Sequence, residues 1–325
     1  MRIDETLNLM FLASGEFALP TLRWLLESPH VVRLVVSQPP KPTGRGRRMT
    51  PTPVAAFARE HGLPVIEPEN VNDPAWVERL RAAEADLALV IAFGQKLGEG
   101  VRGTARHGCI NLHASVLPKY RGAAPIPWAI LRGETVTGVT TFRIVDRMDA
   151  GPVLCTRTTA IKPDETAEEL HDRLARIGVD AVRATLDLFA DGASPPGTPQ
   201  DDGAATRAVK LRKEDGVLDF DRSVSEIVRF VLGMWSWPGA TARFESADGR
   251  WENVTLARVR PSEPACAPAG RPGTIDPRLF VSCRDGMIEV LELKPASGQR
   301  MTWREYVNGR RVKAGDRFTP PQRPK

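Results

Sequence analysis

The sequence predicts an α/β protein in two parts: a Rossmann-like, mostly parallel sheet in the N-terminal domain, then a small OB-like β-barrel. Three observations predict it. Short apolar runs alternate with amphipathic stretches through the first half. Those runs are continuously apolar, as strands covered on both faces are. Beyond residue 206 the pattern changes to short β-rich runs set off by turn residues, the signature of a small barrel.

In chain order, residues 7–13, 33–37 and 87–93 read as buried strands. Between them, 19–27, 53–60 and 75–83 carry helical spacing, the last opened by Asp73 and Pro74 as a start signal. Strands at 139–145 and 153–160 follow, then a long helix over 167–190. Thr166 and Glu169 fit a capping box at its start. Leu170, Leu174, Ile177, Ala181 and Leu188 keep three-to-four spacing, so one face packs on the sheet. "DGASPPGTPQDDGAAT" then reads as a linker, because Gly, Pro and Asp in that density suit neither regular element. The expected boundaries are 1–192, a linker at 193–206, and 207–325. In the last part, 240–244, 253–259, 279–282 and 288–293 read as strands, with turns at Asp248-Gly249 and Asp285-Gly286. No internal repeat is present.

A chain of 325 residues is long enough for two domains, each with its own core. Its longest strongly apolar run, 87–93, is far short of the ~18 residues a membrane span needs. Without a basic segment followed by an apolar one at the start, the expected location is cytoplasmic. The cysteines, Cys109, Cys155, Cys266 and Cys283, form no C-x-x-C pair and have no nearby His at ligand spacing, so no metal is expected. They read as buried or incidental thiols in a reducing compartment. Charge is uneven: from Arg207 onward 22 Lys and Arg face 15 Asp and Glu, or +7, against −2 for the first 206 residues. A basic C-terminal part on a near-neutral body points to a polyanionic partner, the alternative being solvated surface charge.

The chemistry is carried by "GCINLHASVLP", residues 108–118. Alternation along a strand puts Cys109, Asn111 and His113 on one face, with the amide and imidazole roughly 7 Å apart along the backbone. The chain then turns through Ser115, Pro118 and residues 122–124, at the strand end where a parallel sheet places its ligands. A carboxylate follows the next strand in "RMDAG". Beside an imidazole it fixes the ring's orientation and favours the cationic form. Asp149 and Asp146 are rivals for that place. Asn, His and Asp at one sheet edge suit acyl-type chemistry, with an amide donor, a cationic donor and a carboxylate around a developing oxyanion.

"HGCINLHASVLPKYRGAAPIPWAI" resembles the N-x-H and S-L-L-P signature of the 10-formyltetrahydrofolate-dependent formyltransferases. "SQPPKPTGRGRRMTPTPV", "LRKEDGVLDF", "WPGA" and "LKPASGQRM" are similar to the basic loop, C-terminal domain entry, tryptophan turn and closing strand of the tRNA-acting members. The likeness covers nearly the whole chain. It implies that Asn111, His113 and Asp149 are the catalytic trio and that Ser115, Val116, Leu117 and Pro118 line the folate site. It implies formyl transfer from 10-formyltetrahydrofolate to the α-amine of methionine on the initiator tRNA, with no metal. No covalent enzyme intermediate is expected, since the cysteines have no activating partner in the sequence. One departure stands out: F-x-G-T-P-x-F is here "FLASGEF", with Ala13 and Gly15 for Gly and Pro. Glycine tolerates backbone angles that proline forbids, so this loop is not held to the family's shape.

"KPTGRGRRM" carries Lys41, Arg45, Arg47 and Arg48 on a backbone loosened by Gly44 and Gly46. On charge alone it is a solvated loop; the resemblance implies contact with the acceptor end of the tRNA. Trp235 and Trp237 are candidates for base stacking, although core packing in the second domain is the favoured reading. The resemblance implies that the barrel helps hold the tRNA. The enzyme is expected to act as a monomer.

Three rivals remain distinguishable. A sugar-nucleotide formyltransferase needs the trio and folate site but neither the Arg loop nor the basic domain. A nicotinamide-dependent oxidoreductase is disfavoured because "LASGEF" lacks G-x-G-x-x-G after the first strand. A noncatalytic RNA-binding protein has no use for Asn111, His113 and Asp149 together.

Overall fold

The computed structural model describes residues 6–44, 46–189 and 192–321. The first elements are β1 (Asn8–Ala13), α1 (Leu19–Glu27), β2 (Val31–Val36), a hairpin of β3 (Lys41–Thr43) and β4 (Arg48–Thr50), α2 (Pro53–Glu60) and β5 (Val65–Ile66). Then come α3 (Pro74–Arg81), β6 (Leu87–Ile91), the single turn α4 (Glu99–Arg102), β7 (Cys109–His113), β8 (Arg121–Gly122) and α5 (Pro125–Leu131). The first half closes with β9 (Val136–Arg143), β10 (Val153–Ala160) and α6 (Ala167–Leu186).

The seven-stranded sheet runs β10-β9-β7-β6-β1-β2-β5. The strands from β5 through β7 pair in parallel, and β9 runs antiparallel to β7. Met10, Leu12, Leu34, Val36, Ala88 and Val90 pack into one cluster that includes Leu80 of α3 and Val101 of α4. The alternate positions Leu9, Phe11, Val35, Leu89 and Ile91 are equally buried. Both faces are therefore covered, which is why these strands are apolar without alternation.

The capping box of α6 forms as expected: the Glu169 amide donates to Thr166 Oγ1 (3.2 Å) and the Thr166 amide to Glu169 Oε2 (2.9 Å). The helix ends earlier than its spacing predicts. A 3₁₀ turn over Asp187–Phe189 follows Leu186, and Ala190 lies outside the described residues. The tighter turn rotates the side chains, leaving Leu188 44% exposed and burying Phe189 in its place.

The remaining elements are β11 (Arg207–Ala208), α7 (Val224–Met234), β12 (Ala240–Glu245), β13 (Trp251–Pro261), β14 (Val281–Ser282), β15 (Met287–Pro295), β16 (Met301–Thr302), α8 (Trp303–Arg310) and β17 (Arg317–Thr319). An antiparallel sheet runs β14-β15-β13-β12-β17, with β16 on β15. Thr274 bridges to Arg317 and Ile275 to Val281, drawing the two edges together into a nearly closed barrel. Ile227, Phe230 and Val231 of α7 and Trp303 and Tyr306 of α8 join its core.

The chain divides into two compact units: Met1–Gly122 with Thr137–Thr159 and His171–Ala208, and Ala123–Val136 with Ala160–Leu170 and Val209–Lys325. Residues 193–206 are not a free linker. Val153 and Thr198 form a bridge, β11 just beyond pairs with β8, and Thr206 accepts the Arg121 amide (2.9 Å). A Pro- and Gly-rich segment cannot satisfy its backbone internally, and this one finds partners along the first unit instead.

Candidate active site

β7 lies between parallel β6 and antiparallel β9, with Asn111 opposite Val90 and Phe142, and His113 opposite Thr140. His113 is 6% exposed and Asn111 half-buried. Among the described residues the Asn111 carboxamide has no hydrogen-bond partner, so its donors are open to a ligand.

Both imidazole nitrogens have defined neighbours. Nε2 lies 2.9 Å from the backbone carbonyl of Tyr120. A carbonyl only accepts, so this bond assigns a hydrogen to Nε2. Tyr120 has φ +61°, a left-handed backbone for a bulky buried residue. Its amide donates to Thr206 Oγ1 (2.9 Å), which holds the carbonyl turned toward the ring. Nδ1 faces Asp149 Oδ2 at 3.8 Å. That is too long for a direct hydrogen bond, yet an oxygen lying off the line between them can touch both.

Asp149 also sits in the left-handed region, at φ +52°. Its Oδ2 accepts the Gly122 amide at 2.8 Å. Gly151, two residues on, packs so tightly that a Cβ there would lie 1.7 Å from the Arg143 carbonyl oxygen; only glycine lets the turn come back this close. The rival is excluded by placement: Asp146 points outward, 79% exposed, toward Lys96 (3.6 Å) and Arg102 (3.5 Å).

Cys109 shares the face of Asn111 and His113. Burial pushes its thiol up to about 12, so at neutral pH it is no thiolate nucleophile. Cys283 is likewise raised to about 12 by burial. Among the described residues no group of three His, Cys, Asp or Glu is gathered as a metal would require, and no helix is long and apolar enough to cross a membrane.

The residues expected at the folate site divide into two pairs. Ser115 is fully buried, its hydroxyl donating to Lys119 O (2.7 Å) and its carbonyl accepting from Thr140 Oγ1 (2.7 Å). Leu117 is buried, and its amide donates to Thr140 Oγ1 (3.2 Å). Val116 and Pro118 are half-exposed and supply the loop's available surface. In "FLASGEF", Gly15 has φ −84°, close to the range proline occupies, so the glycine freedom expected from sequence goes unused.

The loosened loop of the sequence is in fact a hairpin, with Lys41 opposite Thr50 and Thr43 opposite Arg48. Arg45 lies outside the described residues. Lys41, Arg47 and Arg48 are exposed. Lys41 Nζ donates to Gln38 Oε1 (2.6 Å), and among the described residues Arg47 and Arg48 face no acid. The tryptophans differ. Trp235 is 8% exposed and donates to Glu168 Oε2 (3.0 Å), whereas Trp237 is 63% exposed, against the core packing expected for it.

Several site residues gave no signal in the sequence. The Tyr120 carbonyl and Gly122 amide act through the backbone, where residue type is silent. Gln200 and Thr206 lie in the segment read as a linker.

Residues 8–186 match the model of the formyl transferase family and residues 210–311 that of the formyl transferase C-terminal domain. Methionyl-tRNA formyltransferase of Geobacter metallireducens is 38% identical over 316 residues, covering 96% of this chain and 98% of the relative. The same enzyme of Geobacter sulfurreducens is 39% identical over 312 residues, covering 96% of each. Among solved structures, the N-formyltransferase from Helicobacter canadensis in complex with folinic acid and dTDP-3-aminofucose superposes with a TM-score of 0.63 at 15% identity, covering 88% of this chain and 99% of that one. HypX from Aquifex aeolicus in complex with tetrahydrofolic acid gives 0.63 at 18% identity, covering 93% of this chain; the chain spans about half of HypX, 47%. At such identities these two likenesses speak for the fold alone.

Proposed function

The chain belongs to the formyl transferase family through both of its domains, and from that premise we propose that it transfers a formyl group from 10-formyltetrahydrofolate to the α-amino group of methionine on initiator tRNA. The observation that supports the mechanism is the approach of His113 Nδ1 to Asp149 at 3.8 Å, on the same strand as the Asn111 amide, which has no hydrogen-bond partner among the described residues.

Attack of a neutral amine on a formyl carbon puts negative charge on the formyl oxygen. Asn111 donates to that oxygen from a strand, so no reorganisation is needed as the charge develops. Because Nε2 is committed to Tyr120, His113 acts through Nδ1, donating to the same oxygen when protonated. Asp149 faces that nitrogen and accepts the proton leaving the amine; collapse of the tetrahedral species then breaks the bond between the formyl carbon and N10, and the proton passes from Asp149 to N10 as tetrahydrofolate leaves. The Cys109 thiol, held protonated by burial, leaves the direct transfer without a competing enzyme nucleophile.

Val116 and Pro118 line the folate, on a loop that Ser115 and Leu117 hold in shape from beneath. The exposed cations of the hairpin, Lys41, Arg47 and Arg48, together with Arg45 of the same sequence stretch, meet the acceptor end of the tRNA, and the basic 207–325 part holds its body. A charged tRNA as acceptor places the reaction in the cytoplasm. All the catalytic groups come from one unit of one chain, so a monomer suffices.

The test is a competition. The protein is incubated with 10-formyltetrahydrofolate, methionyl initiator tRNA and a nucleotide-linked amino sugar, and the products are resolved. Formylmethionyl-tRNA is the expected product; preferential formylation of the sugar would sink the proposal.

A further inference from the structure

Given the catalytic trio proposed above, we infer that Gln200 is a positioning residue for Asp149, using both ends of its carboxamide to fix the carboxylate relative to His113. Its amide group donates to two backbone carbonyls of the Asp149 turn, Asp149 O at 2.9 Å and Gly151 O at 2.7 Å. Its Oε1 accepts two hydrogen bonds from Arg121, Nε at 3.1 Å and Nη2 at 2.8 Å. Arg121 directly precedes Gly122, whose amide is the donor to Asp149 Oδ2. One side chain thus grips the backbone of Asp149 and the segment that holds its carboxylate.

The grip closes into a circuit. Arg121 Nη1 pairs with Asp202 Oδ1 at 2.8 Å, and Asp202 Oδ2 with Arg147 Nη1 at 2.8 Å. Arg147 opens the Asp149 turn, the Ala150 amide donating back to its carbonyl at 3.3 Å. Hydrogen bonds from Arg147, then Arg121, pull the Asp202 carboxyl down to about 2, so it stays ionised across the working pH range. Residues 200–202 therefore hold the turn at three points, residues 147, 149 and 151. Non-glycine residues resist the φ of +52° that Asp149 adopts, and such a conformation persists only when its surroundings over-determine it. Freed from Gln200, the turn relaxes toward ordinary angles and carries the carboxylate away from Nδ1.

Gln200 touches no reacting atom, so its loss acts on kcat through Asp149. Two substitutions separate this from mere attachment of the 193–206 segment. Gln200→Leu removes all four hydrogen bonds. Gln200→Glu keeps an acceptor for Arg121, and so the attachment, but sets a carboxylate against two carbonyls. Both variants are expected to lose about 10- to 100-fold in kcat, as an ångström-scale displacement of a catalytic group does. KM for each substrate should stay within about twofold, and Gln200→Glu, which keeps its Arg121 bonds, should melt above Gln200→Leu while losing as much kcat.

A double-mutant cycle with Asp149→Asn completes the test by single-turnover formylation. If Gln200 works through Asp149, adding Gln200→Leu to Asp149→Asn costs less than about twofold more. A fully multiplicative loss, or a Gln200→Glu enzyme at wild-type kcat, overturns the positioning role. A loss of rate that tracks unfolding in both Gln200 variants overturns it as well. Should Asp149→Asn itself turn over normally, it is the catalytic trio that fails, and the two failures are thereby told apart.

Discussion

Asn111→Ala separates catalysis from folding more cleanly than any other change at the site. The carboxamide is half-buried on β7 and makes no hydrogen bond among the described residues. Truncation therefore strands no buried partner, and the stability change should stay within about 0.5 kcal/mol, as for sites away from a bonded network. The barrier is another matter. Removing one donor aimed at a developing oxyanion costs about 2.7–4 kcal/mol, or 10²- to 10³-fold in kcat. Asn111→Asp keeps the shape but faces the charged oxygen with a second negative group, so it should fall at least as far. The assay is single-turnover formylation of methionyl-tRNA with saturating folate, read beside a melting curve and the KM for tRNA. An Asn111→Ala enzyme within threefold of wild-type kcat would refute the oxyanion role, as would a kcat loss matched by a collapse in melting temperature.

Other outcomes follow from the same geometry. His113→Ala should lower kcat by roughly 10³-fold or more, with methionyl-tRNA binding measured by filter retention nearly intact; wild-type turnover excludes the mechanism. Neutralising Arg45, Arg47 and Arg48 together should raise the KM for tRNA and flatten the plot of log K against log salt, its slope falling by about 0.7–0.9 for each phosphate no longer neutralised; an unchanged slope removes the hairpin from the interface. Trp237→Ala, at a ring 63% exposed, should weaken tRNA binding by about 1–3 kcal/mol if a base stacks there, and equal Kd values would show that none does. Gly15→Pro should raise stability by about 0.4–1 kcal/mol in denaturant melts, because its φ of −84° already suits proline; a loss instead would mean that the Gly15 amide has a partner.

The central strands were legible because, buried on both faces, they are apolar throughout, as β1 and β6 are; β10, half-exposed at the sheet edge, carries Thr156, Arg157, Thr158 and Thr159 and does not follow that rule. Helix α7 carries an equally clear sequence signal. Ser223 and Glu226 form a capping box, the Glu226 amide donating to Ser223 Oγ at 3.2 Å and the Ser223 amide to Glu226 Oε2 at 2.9 Å, and Ile227, Phe230, Val231 and Met234 follow at helical spacing. At the site, Asn111 and His113 are two residues apart on one strand, so alternation alone put them together. Asp149 could not be separated from Asp146 in this way, because three residues of irregular backbone have no fixed period. What divides them is a tertiary fact, the Gly122 amide meeting one carboxylate while Lys96 and Arg102 draw the other outward.

Gln200 shows why support for a site escapes sequence patterns even when the catalytic residues do not. It lies 51 positions from Asp149, in a stretch whose composition says only that no helix or strand forms. Its work is done on carbonyls, which every residue has. Yet the energies require something of the kind. The left-handed backbones of Tyr120 and Asp149 each cost about 1–3 kcal/mol, and they bear on the two opposite nitrogens of one imidazole. Around Asp149 the compensation includes three hydrogen bonds: two from Gln200, to Asp149 O and Gly151 O, at about 0.5–1.5 kcal/mol apiece, and one from the Gly122 amide to the carboxylate, at about 1.5–3 kcal/mol. Two of the three come from Gln200, so without it Asp149 itself keeps only the Gly122 bond, about 1.5–3 kcal/mol for a charged acceptor, against a strain of the same size, while the Arg147–Asp202 pair anchors only the start of the turn. The turn then has no reason to keep the angle that aims a carboxylate at His113.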